Sequence, residues 1–187
     1  MIFMTLGTHD QPFHRAIELL APLDREDEII IQHGSTPPRP DLVTAEWVDY
    51  LESGDLLDNI RRADIVISHA GVGSMLTAIR NSRKPIVLPR LGRFGEHVDD
   101  HQLQLANRFA QRGLVFVCGP SDSMEDLVYR ARYAASLITP SQSAGLREAV
   151  ARLALVGAEP GSSAGYRVRP QPFSVSRRSR SRAGLGG

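Results

Sequence analysis

Nine residues, FGEHVDDHQ (94–102), carry Glu96, His97, Asp99, Asp100 and His101, a density of ligating side chains that first suggests a metal site. His97 and His101 lie four apart, as in a helical HxxxH, and a metal-dependent hydrolase built on them would bind zinc tightly. Against that reading, the glutamate of an HExxH site is missing and His97 falls before the helix that the next residues imply. The acids have a second use, because near a helix N-terminus each is stabilised by the macrodipole by roughly 0.3–1 kcal/mol. Asp99 with Gln102 three residues on matches a capping box. We therefore expect no metal here.

Two further loops combine small residues with hydrogen-bonding groups. In GTHDQP (7–12), Gly7 lets a ligand approach the backbone, and Thr8, His9 and Gln11 offer side-chain hydrogen bonds. Pro12 then suits the first turn of a helix whose free N–H groups can face an anion. SHAGVGSM (68–75) sets His69, Gly71, Val72, Gly73 and Ser74 between an apolar run and a helix, where backbone donors, a hydroxyl and the helix dipole make a phosphate cradle. Alone, a Gly-x-Gly reads equally as a tight turn. His14, inside a helical pattern, and His33, before a Ser-Thr-Pro-Pro turn, read as structural or solvent-facing.

These loops must be held by a scaffold, and short apolar runs with helical stretches between them supply it. The runs are Ile2 to Leu6, Ile29 to Gln32, Ala45 to Val48, Ile65 to Ser68, Pro85 to Leu88 and Leu114 to Cys118. Most are continuously apolar, as in strands covered on both faces, which predicts five or six strands of an α/β, doubly wound parallel sheet. The spacing predicts helices carrying Phe13, Ile17 and Leu20; Leu56, Leu57 and Ile60, capped by Asp55; and Leu103, Ala106 and Ala110, ending at Gly113. Two more carry Leu127, Val128 and Ala131 after Ser121 or Asp122, and Leu146, Val150 and Leu153 after Pro140 and Ser141. In such sheets ligands sit beyond the carboxyl ends of the strands, where all three loops fall.

With 187 residues the chain has room for one domain, 1–156, followed by 157–187, a Gly/Pro/Ser/Arg-rich stretch too poor in apolar residues to order itself. That stretch holds six arginines against the single acid Glu159, so it carries +5 of a net +1 and leaves −4 on the rest. An acidic body argues against nucleic acid as the main ligand. Lys84 is the only lysine and lacks a glycine-rich setting, so a P-loop is excluded. Cys118 is the only cysteine, which rules out an intrachain disulfide or thiolate cluster and reads as a buried small hydrophobe. No apolar run approaches the roughly 20 residues of a membrane span, and no signal peptide is evident, so a cytoplasmic location is expected.

MIFMTLGTHDQPFHRAI, ADIVISHAGVGSM and KPIVLPRLGRFGEHVDDHQLQLA, three motifs in order at compatible spacing, resemble the C-terminal-domain family of glycosyltransferase family 28. The resemblance covers about residues 1–155 and is strongest to stand-alone members. These are the catalytic subunit of the dolichol-linked N-acetylglucosaminyl transferase and bacterial exopolysaccharide subunits of the PssE type; the donor-binding half of MurG is also similar. It implies half of a GT-B fold that takes a UDP-sugar as donor substrate and needs no cofactor. Gly71, Val72, Gly73 and Ser74 would hold diphosphate and ribose, beside Gly7, Thr8, Gln11 and His69, and the segment from Tyr50 to Leu56 would lie near uracil. Asp100, His101 and Gln102 would read donor-sugar hydroxyls. Thr77 stands where related transferases often place a ribose-binding glutamate, and AIRNSRKP runs one residue longer than usual.

The resemblance further implies a heterodimer with a membrane-associated partner that presents a lipid-linked saccharide acceptor, at the inner face of the membrane, in cell-surface polysaccharide or glycolipid synthesis. Inverting, metal-independent transfer is expected, with the charge on departing UDP stabilised by helix N-termini and His9 as the candidate general base. A nucleotide-sugar-binding or activator subunit without turnover of its own is the alternative. N-acetylglucosamine, glucuronic acid, glucose and galactose all remain open as the transferred sugar.

Overall fold

A computed structural model describes residues 1–23, 27–81 and 83–137. The helix expected after Pro140 and the stretch from 157 onward lie outside the described residues. Six parallel strands form one sheet: β1 (Ile2–Thr5), β2 (Ile29–Gln32), β3 (Ala45–Val48), β4 (Ile65–His69), β5 (Ile86–Leu88) and β6 (Phe116–Val117), in the order β3-β2-β1-β4-β5-β6. The sheet runs outward from β1 in two directions, so the strand order reverses between β1 and β4. Ile2 sits opposite Ile29 on one side and Ile65 on the other.

Helices cover both faces, as the continuously apolar strands require. Ile2, Met4, Ile29, Ile31, Ile65, Ile67, Ile86 and Leu88 point to one face, where α1 (His14–Glu18) and α5 (Met124–Leu137) supply Ile17, Leu127 and Val128. The alternate residues Phe3, Ile30 and Val66 meet Ile60 of α2 (Ser53–Arg62) and Ala78 of α3 (Val72–Arg80) on the other. Val87 packs there with Met75, Ile79 and with Ala106 and Phe109 of α4 (His101–Gln111). Each such buried side chain contributes roughly 1.5–3 kcal/mol of transfer free energy. Cys118 is fully buried, and burial pushes its thiol up to about 11.

Several helix ends differ from expectation. The first helix is only five residues long, with Phe13 and Leu20 buried but outside it; the Phe13 N–H donates to Thr36 Oγ1 (2.9 Å), and no side chain caps the helix. α2 begins at Ser53, so Asp55 lies in its first turn and is not the cap. α5 is capped by Ser123, whose Oγ accepts the Asp126 N–H (3.2 Å); Asp122 instead accepts from Gly119 N (2.7 Å). Gly113 does end α4: at φ +70° its N–H donates to Ala110 O and the Leu114 N–H to Phe109 O, a Schellman closure.

Candidate functional site

The reversal between β1 and β4 opens a crevice at their carboxyl ends, the place where doubly wound sheets bind ligands. A cleft of about 330 Å3 lies there, lined by Thr5, Gly7, Thr8 and Gln32 on one side and His69, Gly71, Gly73 and Ser74 on another. Tyr50, Leu51, Ser53 and Leu56 form the remaining wall. The GTHDQP and SHAGVGSM loops are therefore brought together, along with the segment preceding α2.

Its floor is built on close approach. His69 ends β4 with Nδ1 3.4 Å from Thr5 O, a contact that places the imidazole proton on Nδ1 and leaves Nε2 as an acceptor. A Cβ at Gly7 would lie 2.6 Å from the His69 ring, and one at Gly71 would lie 2.2 Å from Nε2; Gly7 also has φ +76°. Both glycines are thus required by the histidine between them. Burial pulls the His69 pKa down to about 4, against the opposing Thr5 carbonyl and helped by the charges of Arg90 and His9, so the ring is neutral near pH 7.

α3 starts at the rim. No side chain caps it, no acid lies in its first turn, and its first backbone bond is Met75 N to Gly71 O, so the N–H groups of Val72, Gly73 and Ser74 precede the helical ladder. A Cβ at Gly73 would meet nothing within 4 Å, so the space before this N-terminus is open. An anion at that position meets backbone donors and the positive end of the dipole. Val72 is half-exposed beside it, and Thr77, one turn on, donates its hydroxyl to Gly73 O (2.8 Å), leaving only oxygen lone pairs to offer a ligand.

The third loop sits next to this cleft, beyond β5, and does not line it. Two arginines hold it there. Arg15 makes a bidentate pair with the buried Glu96 (3.0 and 2.9 Å) and donates to Pro89 O (2.7 Å). Arg90, 1% exposed, donates to Gln11 O (2.6 Å), Leu6 O (3.1 Å) and Glu96 O (3.3 Å), with its guanidinium 4.7 Å over the Phe13 ring. The β1 and β5 loops therefore move as one unit. Gln11 Oε1 is buried and has no hydrogen-bond partner among the described residues.

Within that loop the expected capping box is absent. Asp99 Oδ1 accepts the His101 N–H (3.0 Å), a bond that is the first cause of its lowered pKa, but the helix begins one residue later, at His101. Gln102, expected to reach back to the helix start, gives its side-chain oxygen to the Arg90 N–H (3.1 Å). Asp100 accepts from Gly92 N (3.0 Å), and Asp99 lies between His97 Nδ1 (3.2 Å) and the exposed His101 Nδ1 (3.1 Å). Among the described residues no three His, Cys, Asp or Glu side chains are grouped as metal ligands.

His9 is exposed between the cleft and this loop, its ring 5.3 Å from that of His97. Its pKa lies below 6.5, first through desolvation and then through Arg90 and His97, with Asp10 opposing. Nδ1 accepts the Gln11 N–H (3.2 Å), so the neutral ring carries its proton on Nε2. The sequence reading missed Arg15, Arg90 and Glu96, and also Gln32; a charged residue just after an apolar strand and a glutamine closing one were the available signals.

Comparisons with known proteins bear on this geometry. The family model for the glycosyltransferase family 28 C-terminal domain matches residues 1–151. Curated relatives include the protein named UDP-N-acetylglucosamine transferase subunit ALG13 from Yarrowia lipolytica, 36% identical over 70 residues that cover 37% of this chain and 34% of that one. Its namesake from Saccharomyces cerevisiae is 38% identical over 61 residues (33% and 28%), and that from Homo sapiens 34% identical over 89 residues (47% and 8%). The chain thus spans about a third or less of the length of each of these relatives. Two solved structures share the fold: the glycotransferase of kitacinnamycin (TM-score 0.56, 16% identity, 81% of this chain and 39% of that one) and CalG4, the calicheamicin glycosyltransferase (0.54, 14%, 81% and 37%). The sheet is therefore half of a GT-B fold.

Proposed function

The chain belongs to the glycosyltransferase family 28 C-terminal domain family, and from that premise we propose that it is the donor-binding, catalytic subunit of a two-component UDP-sugar transferase. One observation carries the proposal: the cleft at the strand-order reversal joins an open helix N-terminus to an apolar wall. The diphosphate lies against the N–H groups of Val72, Gly73 and Ser74, and the uracil against Tyr50, Leu51 and Leu56. The sugar extends toward the β5 loop, where His101 offers an exposed ring and Asp100 and Gln102 keep unused lone pairs. N-acetylglucosamine is the first sugar to test, because the ALG13 relatives are named for it.

In this reaction a lipid-linked acceptor hydroxyl attacks the anomeric carbon, the bond to UDP breaks with inversion, and the leaving charge grows against the start of α3 without a metal. The acceptor is held by a membrane-associated partner, a role suggested by the word subunit in the relatives' names. His9 is neutral at working pH, as a base must be, but taking a proton at Nδ1 requires release of the Gln11 N–H. Its resting tautomer suits donation from Nε2 to a phosphate oxygen. That observation supports the second reading, in which the base comes from the partner and this chain binds and activates the nucleotide sugar.

Calorimetry with UDP and a panel of UDP-sugars, on the chain alone and with its partner, tests the proposal. Failure of both forms to bind any uridine nucleotide refutes it. Turnover by the reconstituted pair that survives His9→Ala and Gln102→Ala removes those residues from the site and favours the second reading.

A further inference from the structure

Gln32 closes β2 as the one polar residue of an apolar strand, and it is 4% exposed. Its amide nitrogen donates to Gly7 O (3.1 Å) in the β1 loop and to Asp49 O (3.0 Å) in the segment after β3, while its oxygen accepts from Thr5 Oγ1 (2.7 Å). A reversed amide would set oxygen against two carbonyls, so the orientation is fixed. The Gly34 N–H also donates to Asp49 O (3.1 Å), and a Cβ at Gly34 would lie 2.3 Å from Gly7 O, so three segments converge on this amide with no room to spare. Gly7 lies against the His69 ring, which also packs on Gly71 at the start of α3 and so ties Gly7 to the phosphate-facing side, and Asp49 leads directly into Tyr50 and Leu51, the base-facing side.

We propose that Gln32 is a positioning residue that fixes the distance between these two walls, and so selects a nucleoside joined to its diphosphate over either part alone; this rests on the donor-site reading above. Each wall keeps its own contacts without Gln32. A ligand that must satisfy both walls at once depends on their spacing, because the second contact is made at an effective concentration set by geometry.

The test compares Gln32→Met, close in size and without the amide, with the wild-type chain for binding of UDP, uridine and pyrophosphate separately. Loss of two buried hydrogen bonds that act on spacing is expected to weaken UDP about tenfold. Uridine and pyrophosphate are each expected to stay within about twofold of wild type, since neither spans the walls. Thr5→Val, which frees the amide oxygen and leaves its nitrogen in place, should give a smaller loss in the same pattern and serves if Gln32→Met fails to fold. Fragment affinities that fall in step with UDP, or UDP affinity that does not change, overturn the proposal while leaving the donor site standing. A wild-type chain that binds no UDP overturns both.

Discussion

Replacing His69 by asparagine should reduce the chain's loss of stability between pH 6.5 and 4. The folded chain holds the ring neutral down to about pH 4, whereas in the unfolded chain it protonates near 6.5. As pH falls through that window the unfolded state gains a proton that the folded state refuses, so unfolding becomes easier; below about 4 both states are protonated and the effect levels off. At about 1.4 kcal/mol per pH unit, the total is at most about 3 kcal/mol, a large part of an ordinary domain's stability. Asparagine can place an N–H near the Nδ1 position toward Thr5 O and has no charge to acquire. It also leaves a gap between Gly7 and Gly71, which lowers stability by an amount independent of pH. Urea unfolding followed by circular dichroism from pH 7.5 to 4 gives both profiles, and their difference isolates His69. Asp41, Asp64 and Asp99, whose pKa values are lowered, lose their contribution mainly below 3.8, and His9, also lowered, adds a loss within the window that both proteins share. Parallel profiles for the two proteins would show that the ring protonates freely in the folded chain, and the account of the cleft floor would fail.

Gly71→Ala should destabilise the chain by about 1–3 kcal/mol, since its Cβ meets the His69 ring at 2.2 Å. Gly73→Ala, whose Cβ meets nothing and which lies inside α3, should raise stability by up to about 1 kcal/mol and still weaken UDP binding if a phosphate lies against the start of α3. Arg15→Ala takes the guanidinium from the buried Glu96 carboxylate and should cost about 3–5 kcal/mol in urea unfolding, only part of it recovered by Arg15→Met with Glu96→Leu because the Leu91 N–H and Pro89 O then lose their partners. Transfer by the reconstituted pair should be unaffected by EDTA. Zinc-dependent turnover that disappears with His97→Ala and His101→Ala would instead support a hydrolase built on that loop.

Local patterns were enough for the sheet. Ile29 to Gln32 and Ala45 to Val48 have the bounds read from their apolar runs, and the others shift by a residue or two because backbone pairing, not side-chain type, ends a strand. The glycine loops were legible as lining the crevice because each stands between an apolar run and a helix, whereas the reason Gly7 and Gly71 lack a Cβ, the His69 ring packed against both, was not. The acids of the β5 loop were less so. Glu96 is neither ligand nor cap, and its partner Arg15 lies 81 residues away, a separation that no window of the chain reveals. Gln102 misled for a related reason: its spacing from Asp99 fits a capping box, but the Arg90 N–H across the loop competes for the same oxygen.

The Arg90 guanidinium donates its hydrogen bonds to the main-chain oxygens of Leu6, Gln11 and Glu96. A guanidinium that recognises carbonyls constrains the path of the chain and is indifferent to which side chains that path displays. Positions 8 and 10, enclosed between two of these anchors and exposed, can therefore be varied in a library while the loop keeps its course, whereas His9 accepts the Gln11 N–H and is kept. What this rim displays is in that sense separable from its architecture, and a library at those two positions should be built with Arg90 and His9 held constant.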